Sequence, residues 1–234
     1  MRNRSFAAPL VFPGAVERRP SRLGSGIHSY ARLRATLEIL GAYTLLELAL
    51  WSRLPAQSQY GAGMLALIVV LSIFGGRSLR CMGLSLQGIR CAWFVIPMAA
   101  AAAFVLLASA WGFGWAHPLM LSSRMHGAGY ILWAFIQQFM AQSFFFVRFE
   151  EWLGGKRAVW VNAALFSAAH IPNPVLLPAT FLGGLGFSEA FRRWRNVYPI
   201  WIAHAMLGMC IAAAFPTAWT HSMRVGISYL LWKR

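Results

Sequence analysis

The chain contains no aspartate, and six glutamates are all of its acidic side chains against 21 lysines and arginines. Without aspartate, a paired-aspartate intramembrane protease is impossible. Charged residues of both signs make up only 12% of the chain, where a soluble domain carries about 25%, so a water-facing surface could not be covered. Cysteines number three, at 81, 91 and 210, in no CxxC or other metal-ligand spacing, and they read as loop or membrane-embedded thiols. An HExxH zinc helix, a P-loop and the dinucleotide glycine pattern are all missing. GFSEA at 186–190 only begins like a GxSxG elbow. No cofactor and no metal are expected. Period-2 alternation, the signal of a membrane barrel, is also absent.

What the chain has instead is apolar length. Hydrophobic residues are 59% of it and mean hydropathy is +0.56. Runs near the roughly 20 residues that cross the hydrocarbon fall at 35–52, 60–75, 91–113, 129–149, 157–171, 175–191 and 198–215, with a shorter one at 223–232. Helices satisfy their own backbones in lipid, so the expected fold is all-α, a polytopic integral membrane protein with seven or eight transmembrane helices. No internal repeat stands out.

The formal net charge of +15 invites a nucleic-acid reading, but its distribution argues against one. Basic residues gather in alternate connections: Arg2, Arg4, Arg18, Arg19, Arg22, Arg32 and Arg34, then the 77–90 loop, the 148–157 turn, the 192–195 turn, and Lys233 with Arg234. The intervening connections hold little beyond Arg53, Arg124 and Arg224. That alternation is the positive-inside pattern. It places a multi-pass protein in an inner, cytoplasmic-type membrane with its N-terminus cytoplasmic and the lipid bilayer as its partner, not nucleic acid. FAAPLVFPGAV at 6–16 faintly mimics a signal peptide, but its two prolines and the return of charge at Glu17 favour a basic tail. GGRSLRCMGLSLQGIR (75–90) suits an interfacial helix, and GFGWAHPLMLSSRMHGAGY suits an outer loop. Glu38 and Glu47 fall in the first span, where lipid exposure is costly; Glu38 is expected near the interface and Glu47 facing other helices.

Polar residues inside the spans concentrate between positions 137 and 208. IQQFMAQS puts Gln137, Gln138 and Gln142 into one apolar run, and Gln138 and Gln142 are one turn apart on a shared face. LFSAAHIPNP ends a helix at Pro172 and Pro174, leaving His170 near its last turn. YPIWIAHAMLG carries His204 well inside a span. Two membrane histidines downstream of an amide-rich helix suggest a shared polar cavity. Helix-joining hydrogen bonds alone are the alternative.

Segment 137–208 resembles the core of the CPBP family, the CAAX-protease and bacteriocin-processing intramembrane endopeptidases, also called the abortive-infection or glutamic-type group. That family carries Glu-Glu-x-x-x-Arg on one membrane helix, Phe-x-x-x-His on the next and His-x-x-x-Asn on a later one. Phe166 and His170 match the second motif and His204 opens the third. The resemblance then places the Glu-Glu pair on Gln137 and Gln138, the arginine on Gln142 and the asparagine on Gly208. In the family, as the resemblance implies, the first glutamate activates a water while the histidines hold it and stabilise the oxyanion. A carboxamide accepts a hydrogen bond but cannot take a proton near neutral pH. Losing carboxylates and guanidinium together removes charges that would otherwise have to balance each other in low dielectric.

On this reading the chain divides into a basic tail (1–34), N-terminal membrane helices with an interfacial segment (35–126), a CPBP-like core (127–215), and a partial span with a basic tail (216–234). The expected function is a catalytically degenerate protein of that type. It would bind a lipidated or transmembrane peptide, or a lipid, around His170, His204, Gln137 and Gln138, with Phe166, Gln142 and Gly208 contributing to binding. A second reading keeps catalysis through His170, His204 and a carboxylate outside the motif, Glu189 being the candidate. Glu150 and Glu151 fit less well: they sit at the end of the span, roughly 20 Å along the helix from Gln137 at about 1.5 Å per residue, and read as a solvated turn pairing with Arg148, Lys156 and Arg157. A third reading, a transporter or membrane assembly subunit, predicts no cavity joining Gln137, His170 and His204.

Overall fold

A computed structural model describes residues 25–118 and 124–232. Arg2, Arg4, Glu17, Arg18, Arg19, Arg22, the 6–16 segment, Lys233 and Arg234 lie outside the described residues. Within them the chain is helical without strands. In order come α1 (Ser25–Trp51), α2 (Ala56–Phe74), α3 (Ile89–Ala92), α4 (Val95–Gly112), α5 (Arg124–Gln138), a π-helical segment (Phe139–Phe146), α6 (Val147–Leu153), α7 (Gly155–Ala168), α8 (Leu176–Trp194), α9 (Tyr198–Ala214), α10 (Thr217–Thr220) and α11 (Gly226–Leu230). Among the described residues three stretches are long and apolar enough to cross a membrane: Ala56–Phe74, Ile89–Gly112 and Gly127–Leu153. Tyr198–Ala214 is apolar but shorter. Large apolar side chains such as Leu37, Ile73, Phe74, Phe104 and Trp111 are exposed along α1, α2 and α4, as an integral membrane protein presents them to lipid.

The axis of the bundle is the continuous rod of α5, the π segment and α6. Every residue from Gln138 to Phe149 except Phe139 is buried, which a straight amphipathic helix does not do. In the π segment, bonds reach from residue i to i+5 and widen the turn. Neighbours close around it from all sides: α9 against α5, α2, α7 and α8 against the π segment, and α1 and α7 against α6. Helices α7 and α8 share an extensive contact. A Cβ on Gly184 would lie 3.1 Å from the Ala163 Cα, so the missing side chain sets the interhelical distance, as small residues do in membrane bundles.

Several elements differ from the sequence reading. Helix α1 starts at Ser25, inside the stretch read as tail, and α5 starts at Arg124, inside the stretch read as loop. Residues 75–88 form a string of turns rather than an interfacial helix. Their backbone bonds elsewhere: the Val197 N–H donates to the Gly83 carbonyl at 3.0 Å, the Asn196 amide to the Ser85 carbonyl at 2.9 Å, and the Tyr198 hydroxyl to the Leu84 carbonyl at 2.9 Å. Gly83 holds φ +70°, and a Cβ there would overlap the Phe191 ring. These tertiary bonds outweigh the local helical pattern. The final apolar run yields only the short α11.

The connection after α6 is no solvated turn of mutually paired residues. Arg148 is fully buried, and its Nε donates to Glu38 on α1 at 2.6 Å. Glu38 also accepts from Arg34 Nε at 2.7 Å and Arg77 Nη1 at 3.2 Å. It is therefore a buried hub, 6% exposed. Arg77 reaches on to Glu151 through two bonds of 2.9 and 2.8 Å, and that carboxylate holds the Arg77 guanidinium charged beyond the usual arginine range. Glu150 pairs with Arg195. The chain thus ties α1, the 75–88 turns and α6 together at one end of the bundle.

Candidate functional site

Gln137 and Gln138 are the last two residues of α5, where the regular helix gives way to the wide turn. Helix α9 packs against α5 and brings His204 between the two amides. Its Nε2–H donates to the Gln137 Oε1 at 3.0 Å, and its Nδ1 accepts from the Gln138 Nε2–H at 3.0 Å. Gln142 Nε2 donates in turn to Gln138 Oε1 at 3.3 Å. Gln138 and Gln142 are fully buried or nearly so, so neither faces lipid. With one nitrogen donating and the other accepting, the chain fixes a neutral imidazole in its Nε2–H tautomer. Both nitrogens of His204 are spent on glutamines.

His170 sits in the turn just beyond α7, as the prolines lead one to expect. Its Nδ1–H donates to the Phe166 carbonyl at 2.7 Å. Nε2 is left with its lone pair and has no bonding partner among the described residues. The Phe166 ring lies edge-on between the two imidazoles, 5.1 Å from His170 and 5.7 Å from His204 between centroids. The motif phenylalanine is thus a spacer holding both rings to one wall.

That wall belongs to a cavity of about 720 Å³ lined by Gln137, His170 and His204 together, with Phe166, Asn162 and Gly208 also on its surface. Most of the lining is apolar, from residues such as Leu46, Leu106, Leu207 and Ile211. A shared cavity is the arrangement that the transporter reading did not predict. Asn162 Nδ2 donates to the Ser188 hydroxyl at 2.9 Å, fastening α7 to α8 behind it.

Two motif positions, Gln138 and Gln142, stand off the cavity wall. Gln142 does not line the cavity; it braces Gln138 from behind. Glu189, the carboxylate outside the motif, does not line it either. It accepts from Arg192 at 2.8 and 2.7 Å and from Arg193 at 2.5 Å, a local cluster at the end of α8. Among the described residues no carboxylate, lysine or arginine lines the cavity, and no cluster of histidine, cysteine or glutamate could hold a metal ion.

Sequence reasoning missed Tyr130. A Cβ on Gly208 would overlap the Tyr130 hydroxyl, so this phenol, reaching over from α5, fills the space that a side chain at 208 would take. Gly208 is one turn from His204 on α9, and Tyr130 lines the same cavity. The only signal in the sequence is glycine at a motif asparagine position, which says that room is left but not who uses it.

Chemically, the arrangement can hold and orient a neutral polar group. Its one open basic nitrogen is His170 Nε2. An imidazole that took a proton there would stand in a low-dielectric cavity with no carboxylate to balance it. Residues 121–210 match the family profile described as Type II CAAX prenyl endopeptidase Rce1-like, which bears out the CPBP resemblance read from the motifs. No curated protein and no solved structure matches the chain.

Proposed function

We propose, starting from a chain whose segment 121–210 carries the Rce1-like, CPBP-type core, that this protein binds without cutting. Its ligand is a lipidated or transmembrane peptide, or a lipid, held in the cavity between α5, α7 and α9. One observation carries the reading: where general-base chemistry needs a proton acceptor, Gln137 presents an amide oxygen already occupied by His204. An amide there orients; it does not activate water. Seven or eight membrane helices with the N-terminus cytoplasmic, in an inner-type membrane, complete the proposal, supported by the apolar runs and the alternation of basic connections.

The open Nε2 of His170 favours a second reading, an active endopeptidase in which that nitrogen takes the water's proton. The two are separated by incubating purified full-length protein with prenylated and membrane-peptide substrates, comparing wild type, His204→Ala and Gln137→Glu. Cleavage gained only with Gln137→Glu supports the non-cutting reading. Cleavage by wild type that vanishes in His204→Ala overturns it.

A further inference from the structure

The wall of the cavity also speaks to what sits in it. We propose that its ligand is an uncharged long-chain alcohol whose hydroxyl donates to His170 Nε2. This rests on the binding reading above and narrows it to a head group.

Charge comes first. No lysine, arginine or glutamate lines the cavity among the described residues; Glu47 stands behind the lining Tyr43 and accepts from the Trp51 indole at 3.0 Å, while Glu38 is bonded by three arginines and Glu189 by two. An anionic or cationic head would enter unpaired, which low-dielectric surroundings penalise heavily. The hydrogen-bonding inventory comes second. His204 has both nitrogens engaged. His170, only 8% exposed, turns an acceptor toward the cavity that only an O–H or N–H can satisfy. Tyr130 and the Gln137 amide nitrogen add donors on the same lining. A hydroxyl both donates and accepts, so it answers this wall; an ester or ketone carbonyl, which only accepts, leaves His170 Nε2 unmet. Size and apolarity come third. At about 720 Å³ the cavity lies within the roughly 300–1,000 Å³ of ordinary ligand sites, and its aliphatic lining suits a hydrocarbon tail.

The test is photo-crosslinking of the full chain, in nanodiscs of neutral lipid, with a diazirine-tagged hexadecanol, competed by hexadecanol, hexadecanoate, hexadecyltrimethylammonium or hexadecane. Crosslinks are expected on the facing segments of α5, α7 and α9. Hexadecanol should compete at least about tenfold better than either ion, since a charge buried unpaired costs more than the hydrogen bond gained. His170→Ala should reduce the preference for hexadecanol over hexadecane about three- to tenfold, the range set by one hydrogen bond, with hexadecane competition unchanged as the sign of an intact cavity. His170→Asn, whose Oδ1 restores an acceptor, should recover part of that preference. Hexadecanoate competing as well as hexadecanol overturns the proposal, as does an alcohol preference untouched by His170→Ala or a probe that labels no cavity residue. Peptide cleavage by wild type removes the non-cutting reading while the head-group preference stands or falls on its own data.

Discussion

Arg148 and Glu38 lie 110 residues apart and meet inside the bundle at 2.6 Å, and removing them one at a time should cost unequal amounts. Unit charges at that separation attract by about 6 kcal/mol at an effective dielectric near 20, an upper scale for the pair. In Glu38→Gln, the fully buried Arg148 loses its bonded carboxylate and keeps neutral partners alone: the new amide oxygen, the Phe144 carbonyl at 3.0 Å and the Phe144 ring beneath it, 3.4 Å from guanidinium carbon to centroid. Stranding a buried charge in this way costs about 3–5 kcal/mol. In Arg148→Met, Glu38 still has Arg34 at 2.7 Å and Arg77 at 3.2 Å, and the loss falls to about 1.5–3 kcal/mol, the range of one charge-assisted hydrogen bond. The double variant Glu38→Gln/Arg148→Met should lose less than the sum, because the second change removes the charge that the first leaves stranded. Denaturant unfolding in mild detergent, followed by fluorescence of the chain's 11 tryptophans, reads all three. Arg148→Met proving costlier than Glu38→Gln, or strict additivity in the double variant, would refute the hub geometry.

Other substitutions probe the amide chain and the close contacts. Gln138→Leu leaves His204 Nδ1 and Gln142 Nε2 without their partner and should cost about 1–3 kcal/mol in the same unfolding assay; a loss below the assay's error would contradict the chain of bonds. Gly208→Ala should weaken ligand binding in the cavity and lower stability by about 1–3 kcal/mol through overpacking, and adding Tyr130→Ala should recover the stability by vacating the space. Gly184→Leu should separate α7 from α8 and lower the midpoint of unfolding; if the variant matches wild type, the two helices are not in the contact described.

Much of the bundle is legible from hydropathy. The runs at 35–52, 60–75, 91–113, 129–149, 157–171, 175–191 and 198–215 each overlap an observed helix, since an apolar stretch bounded by charge has few other options in lipid. That Phe166, His170, His204 and Gln137 line one cavity is legible because the family resemblance carries the spacing between motifs. The rest depends on distant partners. Nothing near Gly83 announces that Asn196 and Tyr198 will hold the 75–88 backbone in turns. Nothing near Arg148 announces Glu38, and proximity along the chain points wrongly to Glu150 and Glu151. Nor does apolar content distinguish i→i+5 from i→i+4 bonding, so the wide turn at 139–146 leaves no trace in a run of phenylalanines.

That wide turn couples two ends of one rod by phase. An α-helix advances about 100° per residue, and the π segment shifts the part after it relative to the part before. Gln137 and Gln138 thereby aim at α9, while Arg148 aims at α1. Winding the same residues as an ordinary α-helix would rotate α6 by roughly that angle. The chain could then keep its amides on His204 or its guanidinium on Glu38, never both. The i→i+5 bonding of this stretch is therefore as constrained as the residues it aims.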